Sequence, residues 1–329
     1  TQHETNMHAS RISRRAWIAT LASTLPALAT AQAPYPDRPI TLVVPNAAGG
    51  AADNLARSVA DELGKRLKQS VVVENLGGAS GAIAAKKVLR AAPDGYTLLF
   101  GNSGPNATAS LMRKLPYDVL KDFRPLSGVV RVPLILAVAA DSPHKTVAEF
   151  VAWARTQADK VNYGSTGIGG SSHLANEYFN ELAGTRFQHI PYQGGAPLVT
   201  AFAGGQVQMA FVTGLDGAAM VQAGKIRYLA VASPRRTDVL PGLPAIAEVV
   251  PGFNAVVWFG LLAPRGVPQP VADKLSSAIA AAVQRPEVRK FFMDRNVEPW
   301  GSTPQELSRT IEGEIAQWGP IIKKANITI

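Results

Sequence analysis

Cysteine is absent from the 329-residue sequence. Disulfide bonds, thiolate metal sites and cysteine nucleophiles are therefore excluded. Runs of like charge are also missing: 33 basic and 24 acidic residues give a formal charge of +9, but the basic residues are scattered along the chain. Because nucleic-acid-binding segments concentrate basic residues, we expect no nucleic-acid partner. A mildly basic surface can instead attract anionic ligands.

Side chains that could bind a metal are few and dispersed. The chain has five histidines, and only His173 and Glu177, four residues apart on a predicted helix, resemble a pair of ligands. No third ligand accompanies them, so we predict neither a bound metal nor a cofactor. The segment Gly167-Ile168-Gly169 does not continue into a dinucleotide fingerprint, because Ser172 stands where the third glycine belongs.

The composition is that of an ordinary globular protein, 47% hydrophobic and 17% charged, and the length predicts two domains. From Ile40 onward, strand-like and helix-like segments alternate. This alternation is typical of parallel sheets covered by helices, which bind their ligands at the carboxyl ends of the strands. Two extended apolar runs, Val129–Ala139 and Asn254–Leu262, are long enough to carry the chain from one lobe to another and back.

The N-terminal segment, residues 1–31, resembles an export signal rather than part of the fold. Arginines at positions 11–15 precede a mostly apolar segment over residues 17–28, and the A-x-A pattern Ala29-Thr30-Ala31 follows. We predict cleavage after this pattern. The same arginines also resemble a twin-arginine signal, so general secretion and twin-arginine export both stay open. An exported protein without cysteine points to the bacterial periplasm.

The stretch Val161–Phe179 has the pattern of a strand, a loop of small residues and a helix. A loop without bulky side chains lets a ligand approach the backbone. The first N–H groups of the helix have no internal partner, so they stabilise an anion. A capped turn without a ligand is the alternative interpretation. The candidate ligand contacts in this stretch are Ser165, Thr166, Gly167, Gly169, Gly170, Ser171 and His173.

A second stretch, Ile40–Arg57, repeats this pattern. Asp53, in the first turn of its predicted helix, is explained equally well by the helix dipole and by contact with a ligand amino group. Two helix starts that favour anions suggest two lobes facing each other across a ligand. The candidate contacts in the second stretch are Asn46, Ala47, Ala48, Gly49, Gly50 and Asp53.

Three further candidates follow other predicted strands. We expect Gly101–Gly104 to form a third small-residue loop, which adds Ser103 to the set. Tyr192 and Asp216 stand at the ends of two later strands, and a structural role is as good an explanation for each of them as contact with a ligand.

A series of short motifs runs through the chain after the export signal: Tyr35–Ile40, Gly49-Gly50 with Asp53, Pro93–Thr97, Leu115–Asp118, Tyr163-Gly164-Ser165 with His173-Leu174, Pro191-Tyr192 with Gly194, and Trp258–Pro264. Each motif is weak alone, but their order and spacing are specific. Together they resemble the extracytoplasmic solute receptors of tripartite tricarboxylate transporters, the Bug family.

This resemblance implies an α/β, two-lobed periplasmic binding fold of the type II-like or Venus flytrap kind, each lobe a mainly parallel sheet flanked by helices. Residues 32–132 and 254–329 would form lobe 1, and residues 133–253 lobe 2. It also implies a monomeric receptor that is not an enzyme. The receptor would bind a di- or tricarboxylate, an amino acid or an aromatic acid, and deliver it to the membrane components of such a transporter or to a sensor protein.

In the family, two loops hold the ligand carboxylate, partly through ordered water. The matching positions here are Asn46 to Gly50 and Ser165 to Ser171. The first loop departs from the family pattern, which commonly has phenylalanine after the strand-one proline and further prolines before the glycine pair. Asn46-Ala47-Ala48 stands there instead, so an aromatic wall is lost and an amide is gained.

A serine hydrolase that uses Ser165 and His173 is the rival interpretation from another functional class. The nucleophile elbow G-x-S-x-G is not present, because Tyr163 occupies the position of its first glycine. A role for His173 in capping or packing accounts for it better than catalysis does.

We predict that the exported protein begins near Gln32, because signal peptidase cleaves after small residues in the A-x-A pattern. N-terminal sequencing of the protein recovered from the periplasm measures this directly. Retention of residues 1–31 on the exported protein would contradict the prediction.

Overall fold

The computed structural model describes residues 35–157 and 160–329. Pro36–Ile329 form one compact body, which contains every element discussed below. The predicted export signal lies outside the described residues.

The first sheet has six strands in the order β11-β4-β10-β3-β1-β2. The strands β1 to β3 are parallel to one another, whereas β10 and β11 run antiparallel to β4. Its members are β1 (Ile40–Val44), β2 (Val71–Asn75), β3 (Thr97–Asn102), β4 (Phe123–Pro133), β10 (Val256–Pro264) and β11 (Glu298–Pro299).

The second sheet has five strands in the order β7-β6-β8-β5-β9. Strand β6 is parallel to β7 and β8, and β5 runs antiparallel to both of its neighbours. Its members are β5 (Ile135–Ala139), β6 (Asn162–Ser165), β7 (Gln188–Pro191), β8 (Met209–Val212) and β9 (Ile226–Val231).

Helices flank both sheets, which confirms the α/β, two-lobed fold predicted from the sequence. The sheets are mixed rather than mainly parallel, because each combines parallel and antiparallel pairs of strands. Their bounds are α1 (Ala51–Leu67), α2 (Ala82–Arg90), α3 (Ala109–Met112), α4 (Val119–Asp122), α5 (Val147–Thr156), α6 (Ser171–Ala183), α7 (Gly195–Ala203), α8 (Gly214–Gln222), α9 (Gln269–Val283), α10 (Pro286–Met293) and α11 (Pro304–Lys324). Within the described part of the chain, none of these helices combines the length and apolar character needed to cross a membrane.

The chain crosses between the sheets at two adjacent points. Leu134 separates β4 from β5, and the return passes from β9 to β10. Backbone hydrogen bonds tie the crossings together: Ala232 N donates to Leu134 O (2.7 Å), Ala255 N to Ala232 O (2.8 Å) and Leu134 N to Ala255 O (3.4 Å). Both crossings fall at the extended runs identified in the sequence, while the residue boundaries of the two lobes stay a prediction.

The third small-residue loop that we expected from the sequence does not form. Gly101–Gly104 does not form a loop, because β3 continues through Asn102 and a single π-helical turn, Gly104–Thr108, follows almost at once. Gly101 is needed for close packing: a Cβ there would lie 2.7 Å from the Asn106 Oδ1 atom and 2.8 Å from a methyl group of Leu262. A small residue at a strand end therefore marks a crowded site here rather than an open loop.

The C-terminal helix α11 belongs to the hydrophobic cores of both lobes. Its N-terminal half places Leu307 and Ile311 in the core of the first sheet, and its C-terminal half places Trp318 and Ile322 in the core of the second. The helix begins with a capping box at Thr303, whose side chain accepts from the Glu306 N–H. Its apolar stripe therefore spans the junction between the lobes.

Because α11 contributes to both cores, we expect Leu307→Ala and Trp318→Ala each to lower the midpoint of one shared unfolding transition. Large-to-small changes at buried positions cost about 2–5 kcal/mol, and both side chains are buried. Urea unfolding followed by far-ultraviolet circular dichroism measures the effect. The exposed Glu312→Gln on the same helix is the control and should shift stability by less than about 0.5 kcal/mol. Two separate transitions, only one of them displaced, would contradict the prediction.

Candidate ligand-binding site

The loop between β1 and α1 is exposed from Asn46 to Gly50, directly after the buried Pro45. Gly50 occupies the N-cap of α1 and supplies no side-chain hydrogen bond to the helix. The first-turn N–H groups of a 17-residue helix are therefore not satisfied by a cap, and the helix dipole favours an anion beside them.

Asp53 supports this loop from beneath. The residue is only 3% exposed, and its Oδ2 atom accepts from the Gly49 N–H (2.8 Å) and from Arg57 Nε (3.1 Å). The hydrogen bond from Gly49 and the contact with Arg57 lower the pKa of the Asp53 carboxyl group. Asp53 is therefore an ionised positioning residue, whose negative charge is used within the loop.

Asn46 is held by the ends of the two neighbouring strands. Asn75, at the end of β2, donates to the Asn46 carbonyl oxygen (3.2 Å), and Asn102, at the end of β3, donates to the Asn46 side-chain oxygen (3.5 Å). Arg57 in turn donates to Asn75 (3.3 Å). The loop is fixed by polar contacts on the protein side, which leaves its other side open.

The loop between β6 and α6 is folded by its own side chains. Ser172 Oγ accepts from the Thr166 N–H (2.9 Å), and His173 Nδ1 accepts from the Gly169 N–H (3.0 Å). Gly167 and Gly169 both have positive φ angles, at which a side chain would be strained. Gly170 is the N-cap of α6 and makes no side-chain capping bond. This loop therefore presents a second helix start without a cap.

Ser165 lies beneath this second loop and is fully buried. Its Oγ atom is 2.6 Å from His189 Nε2 and accepts from the Gly167 N–H (3.2 Å). The His189 ring stacks on the ring of His173, with centroids 3.8 Å apart, and on that of Tyr163 at 4.8 Å. Sequence reasoning missed His189 because the pairing of β7 with β6, which sets Tyr163 beside His189, cannot be seen in the sequence.

Burial lowers the pKa of both stacked imidazoles to about 4, and for His173 the neighbouring His189 adds to the effect. Both rings are therefore neutral at pH 7. The arrangement corrects the hydrolase interpretation: Ser165 contacts His189 rather than His173, and its hydroxyl group has no exposed surface. Ser165, which is buried, and His189, which is half-buried, support the loop from beneath.

The other candidates fall in different surroundings. Ser103 Oγ donates to Glu314 (2.9 Å) and accepts from the Trp258 N–H (3.0 Å), so its hydroxyl group is already engaged. Tyr192 is half-buried and donates to Gln206 (3.3 Å). Asp216 is exposed and accepts from Thr213 Oγ1 (2.7 Å), whose side chain caps α8.

Glu177 is the possible metal ligand that lies four residues after His173 in the sequence. Glu177 accepts a hydrogen bond from the Tyr163 hydroxyl group, so it is not free to pair with His173. Among residues 35–157 and 160–329, no group of three potential metal ligands comes together.

Sequence reasoning missed Glu314, whose pKa is raised to about 7 by burial, against the opposing effect of hydrogen bonds from Trp258 and Ser103.

The arrangement thus provides two loops at the carboxyl ends of β1 and β6, each leading into a helix whose N-cap is a glycine without a capping side chain. The start of α8 differs, because Thr213 caps it and Asp216 brings a negative charge into its first turn. Backbone N–H groups at the first two loops can hold an anionic group, and the start of α8 is less suited to one.

We predict that the two stacked histidines make the free energy of unfolding fall as the pH drops from about 6.5 to 4. A group whose pKa is lower in the folded state binds fewer protons there than in the unfolded chain, so acid favours unfolding. Burial of Glu314 acts in the opposite direction between about pH 4.5 and 7. The informative comparison is therefore between the pH dependence of the free energy of unfolding in the wild type and that in His189→Gln.

Urea unfolding at pH 7, 6 and 5 should show a weaker loss of stability on acidification in His189→Gln than in the wild type. His144→Gln, a histidine stacked on Trp153 away from the loop, is the matched control and should keep the wild-type dependence. Parallel curves for the wild type and His189→Gln would contradict the prediction.

Comparison with known proteins gives a consistent result. The family model described as the tripartite tricarboxylate transporter family receptor matches residues 55–327. Protein BugT of Bordetella pertussis is 33% identical over 293 residues, covering 88% of this chain and 90% of BugT.

Two solved structures are also similar. R. palustris Rpa4515 with adipate is 36% identical, with a TM-score of 0.77 over 89% of this chain and 99% of that one. MatC (Rpa3494) from Rhodopseudomonas palustris with bound malate is 32% identical, with a TM-score of 0.72 over 88% and 100%. From the extent of the family match and the identity to BugT, this chain belongs to the receptor family of the tripartite tricarboxylate transporters.

Proposed function

We propose that this protein is a periplasmic receptor that binds a small carboxylate between the β1–α1 loop and the β6–α6 loop. The observation that carries the proposal is the pair of helix starts at Gly50 and Gly170, neither of which has a side-chain cap. The solved relatives with adipate and with malate support the same ligand class.

The charge of the loops fits a carboxylate held mainly by backbone groups. Residues 46–50 and 165–171 contain no lysine or arginine, so the positive potential there comes from the N–H groups of α1 and α6. The nearest negative charge, on Asp53, is compensated by Arg57 and by the Gly49 N–H. A carboxylate can therefore approach the first loop without meeting a bare negative charge.

The proposal assigns the ligand to Asn46–Gly50 of one lobe and Ser165–Ser171 of the other. Residues 32–132 and 254–329 form lobe 1 in this proposal, and residues 133–253 form lobe 2. The lobes rotate about the crossings at Leu134 and Ala232–Ala255, because these segments are the covalent links between the two sheets. In addition, helix α11 packs against both lobes. His173 and Ser165 act from below by shaping the second loop.

The first loop influences which carboxylate is accepted. Ala47 and Ala48 are exposed and small, so they leave room for a ligand body where a bulky aromatic side chain would exclude it. Asn46 adds an amide whose oxygen is engaged by Asn102. We infer that the pocket prefers aliphatic ligands with a second polar end, such as dicarboxylates, over flat aromatic acids.

The receptor function includes export and a membrane partner. We propose that residues 1–31 direct the chain to the periplasm, and that the loaded receptor delivers its ligand to the membrane components of a tripartite tricarboxylate transporter or to a sensor protein. Membership of the receptor family supports this role.

We expect Ala48→Trp to abolish carboxylate binding while leaving the stability of the ligand-free protein nearly unchanged. Residue 48 is exposed, so the added indole occupies the space in front of the loop rather than the core. A thermal-shift screen of the wild type with malate, adipate and aromatic acids selects the probe, because a ligand at one hundred times its Kd stabilises by about 2.7 kcal/mol.

Calorimetric titration with the selected probe should then show at least about a hundredfold weaker binding for Ala48→Trp. Ala223→Trp, at an exposed position after α8, is the matched control and should bind as the wild type does. Undiminished affinity in Ala48→Trp would remove the β1–α1 loop from the site. Absence of any stabilisation by carboxylates would overturn the proposed ligand class.

A further inference from the structure

A cavity of about 600 Å³ is lined by elements of both lobes and by no residue of the two loops. Its walls come from β4, β11 and α11 on one side and from the segment Ser233–Val239, which follows β9, on the other. None of the candidate residues of the carboxylate site lines it. We call it the arginine cavity, after its lining residues Arg131, Arg235, Arg236, Arg289 and Arg309.

Most of the guanidinium groups around the arginine cavity form no ion pair with any described residue. Three carboxyl groups face the five arginines, those of Asp238, Glu298 and Glu314. Arg236 forms a bidentate ion pair with Glu248, with 2.8 Å for each of its two hydrogen bonds. In the part of the chain that the structure describes, none of the other four guanidinium groups lies within 4.0 Å of a carboxylate oxygen.

Three of these four guanidinium groups are positioned by neutral partners. Arg131 is half-buried and stacks over the Trp300 ring at 4.1 Å. Arg289 donates to the side-chain oxygen of Gln284 (3.0 Å), and Arg309 donates to the Gln305 carbonyl oxygen (3.4 Å). Neutral partners orient a guanidinium group without forming an ion pair with it. Glu306, whose pKa is lowered by hydrogen bonds from Thr303 and in part by Arg309 and Arg131, offsets some of this positive charge from nearby. Guanidinium groups without an ion-pair partner around one cavity favour a bound anion.

We propose that the arginine cavity is a second binding site, for a small organic anion that carries two or more carboxylate groups. The guanidinium fork matches a carboxylate in a bidentate manner. Four such groups exceed what a single carboxylate can satisfy. The volume lies within the range of small-molecule sites, and Val256, Trp258 and Trp318 give the cavity an apolar wall for the carbon skeleton.

The second site is independent of the carboxylate site between the loops in its residues, but it shares the junction of the lobes. Arg131 lies on β4 of the first sheet, and Arg235 follows β9 of the second. An anion bound between them links the two lobes at a position beside the crossing strands. Failure of either site in experiment therefore leaves the other to be judged by its own variants.

Citrate is the probe, titrated by calorimetry into the full exported chain at constant ionic strength. Because citrate can also enter the loop site, it is titrated into Ala48→Trp, in which that site is blocked. We expect citrate to bind Ala48→Trp, and to bind at least about tenfold more weakly when Arg131→Gln/Arg309→Gln is added. The control Arg90→Gln/Arg265→Gln removes the same charge at two exposed positions outside the cavity and should leave the citrate affinity of Ala48→Trp unchanged. Without Ala48→Trp, the double variant of the cavity should still bind the probe selected for the loops.

Several results would overturn the proposal. No citrate binding at millimolar concentration, or equal affinity in Arg131→Gln/Arg309→Gln, would show that the arginines hold no such ligand. An equal loss of citrate affinity in Arg90→Gln/Arg265→Gln would show that the effect comes from the overall charge of the protein. Loss of citrate binding in Ala48→Trp would place citrate in the loop site, and inorganic phosphate binding more tightly than citrate would exclude a carboxylate site.

Discussion

The backbone hydrogen bonds among Leu134, Ala232 and Ala255 constrain the rest of this structure. They join the two crossing segments where one sheet ends and the other begins, so the carboxyl ends of β1 and β6 keep a defined relation to the junction. Helix α11 adds packing in both cores. Because the link consists of only a few peptide groups, it is compatible with the proposed rotation of the lobes, which would preserve the pairing of strands within each sheet.

The two loops share one design, in which polar side chains work on the inner side and leave backbone N–H groups on the outer side. Asp53 holds Gly49 in the first loop, and Ser172 and His173 hold Thr166 and Gly169 in the second. A glycine at each N-cap withholds the side-chain bond that serine or threonine would supply. For the proposed carboxylate ligand, the helix starts without caps are thus preorganised.

The arginine cavity uses the opposite strategy. Its positive charge is carried by side chains, oriented by Trp300 and by uncharged oxygens, rather than by helix dipoles. Long side chains from separate elements converge there because α11, β4 and the segment after β9 meet beside the crossings. The two proposed sites would therefore combine dipolar and ionic stabilisation of anions within one chain.

Local sequence patterns determined the elements, the capping box at Thr303 and the glycine-rich starts of α1 and α6, because these depend on propensities and on spacing over a few residues. Contacts between residues far apart in the sequence determined the features that these local patterns do not show. His189 reaches Ser165 only through the register of β7 on β6, Gly101 is required by the packing of Leu262 and Asn106, and Glu314 meets Ser103 across 211 positions. Such contacts arise from the path of the chain in three dimensions, which residue spacing along the sequence does not encode.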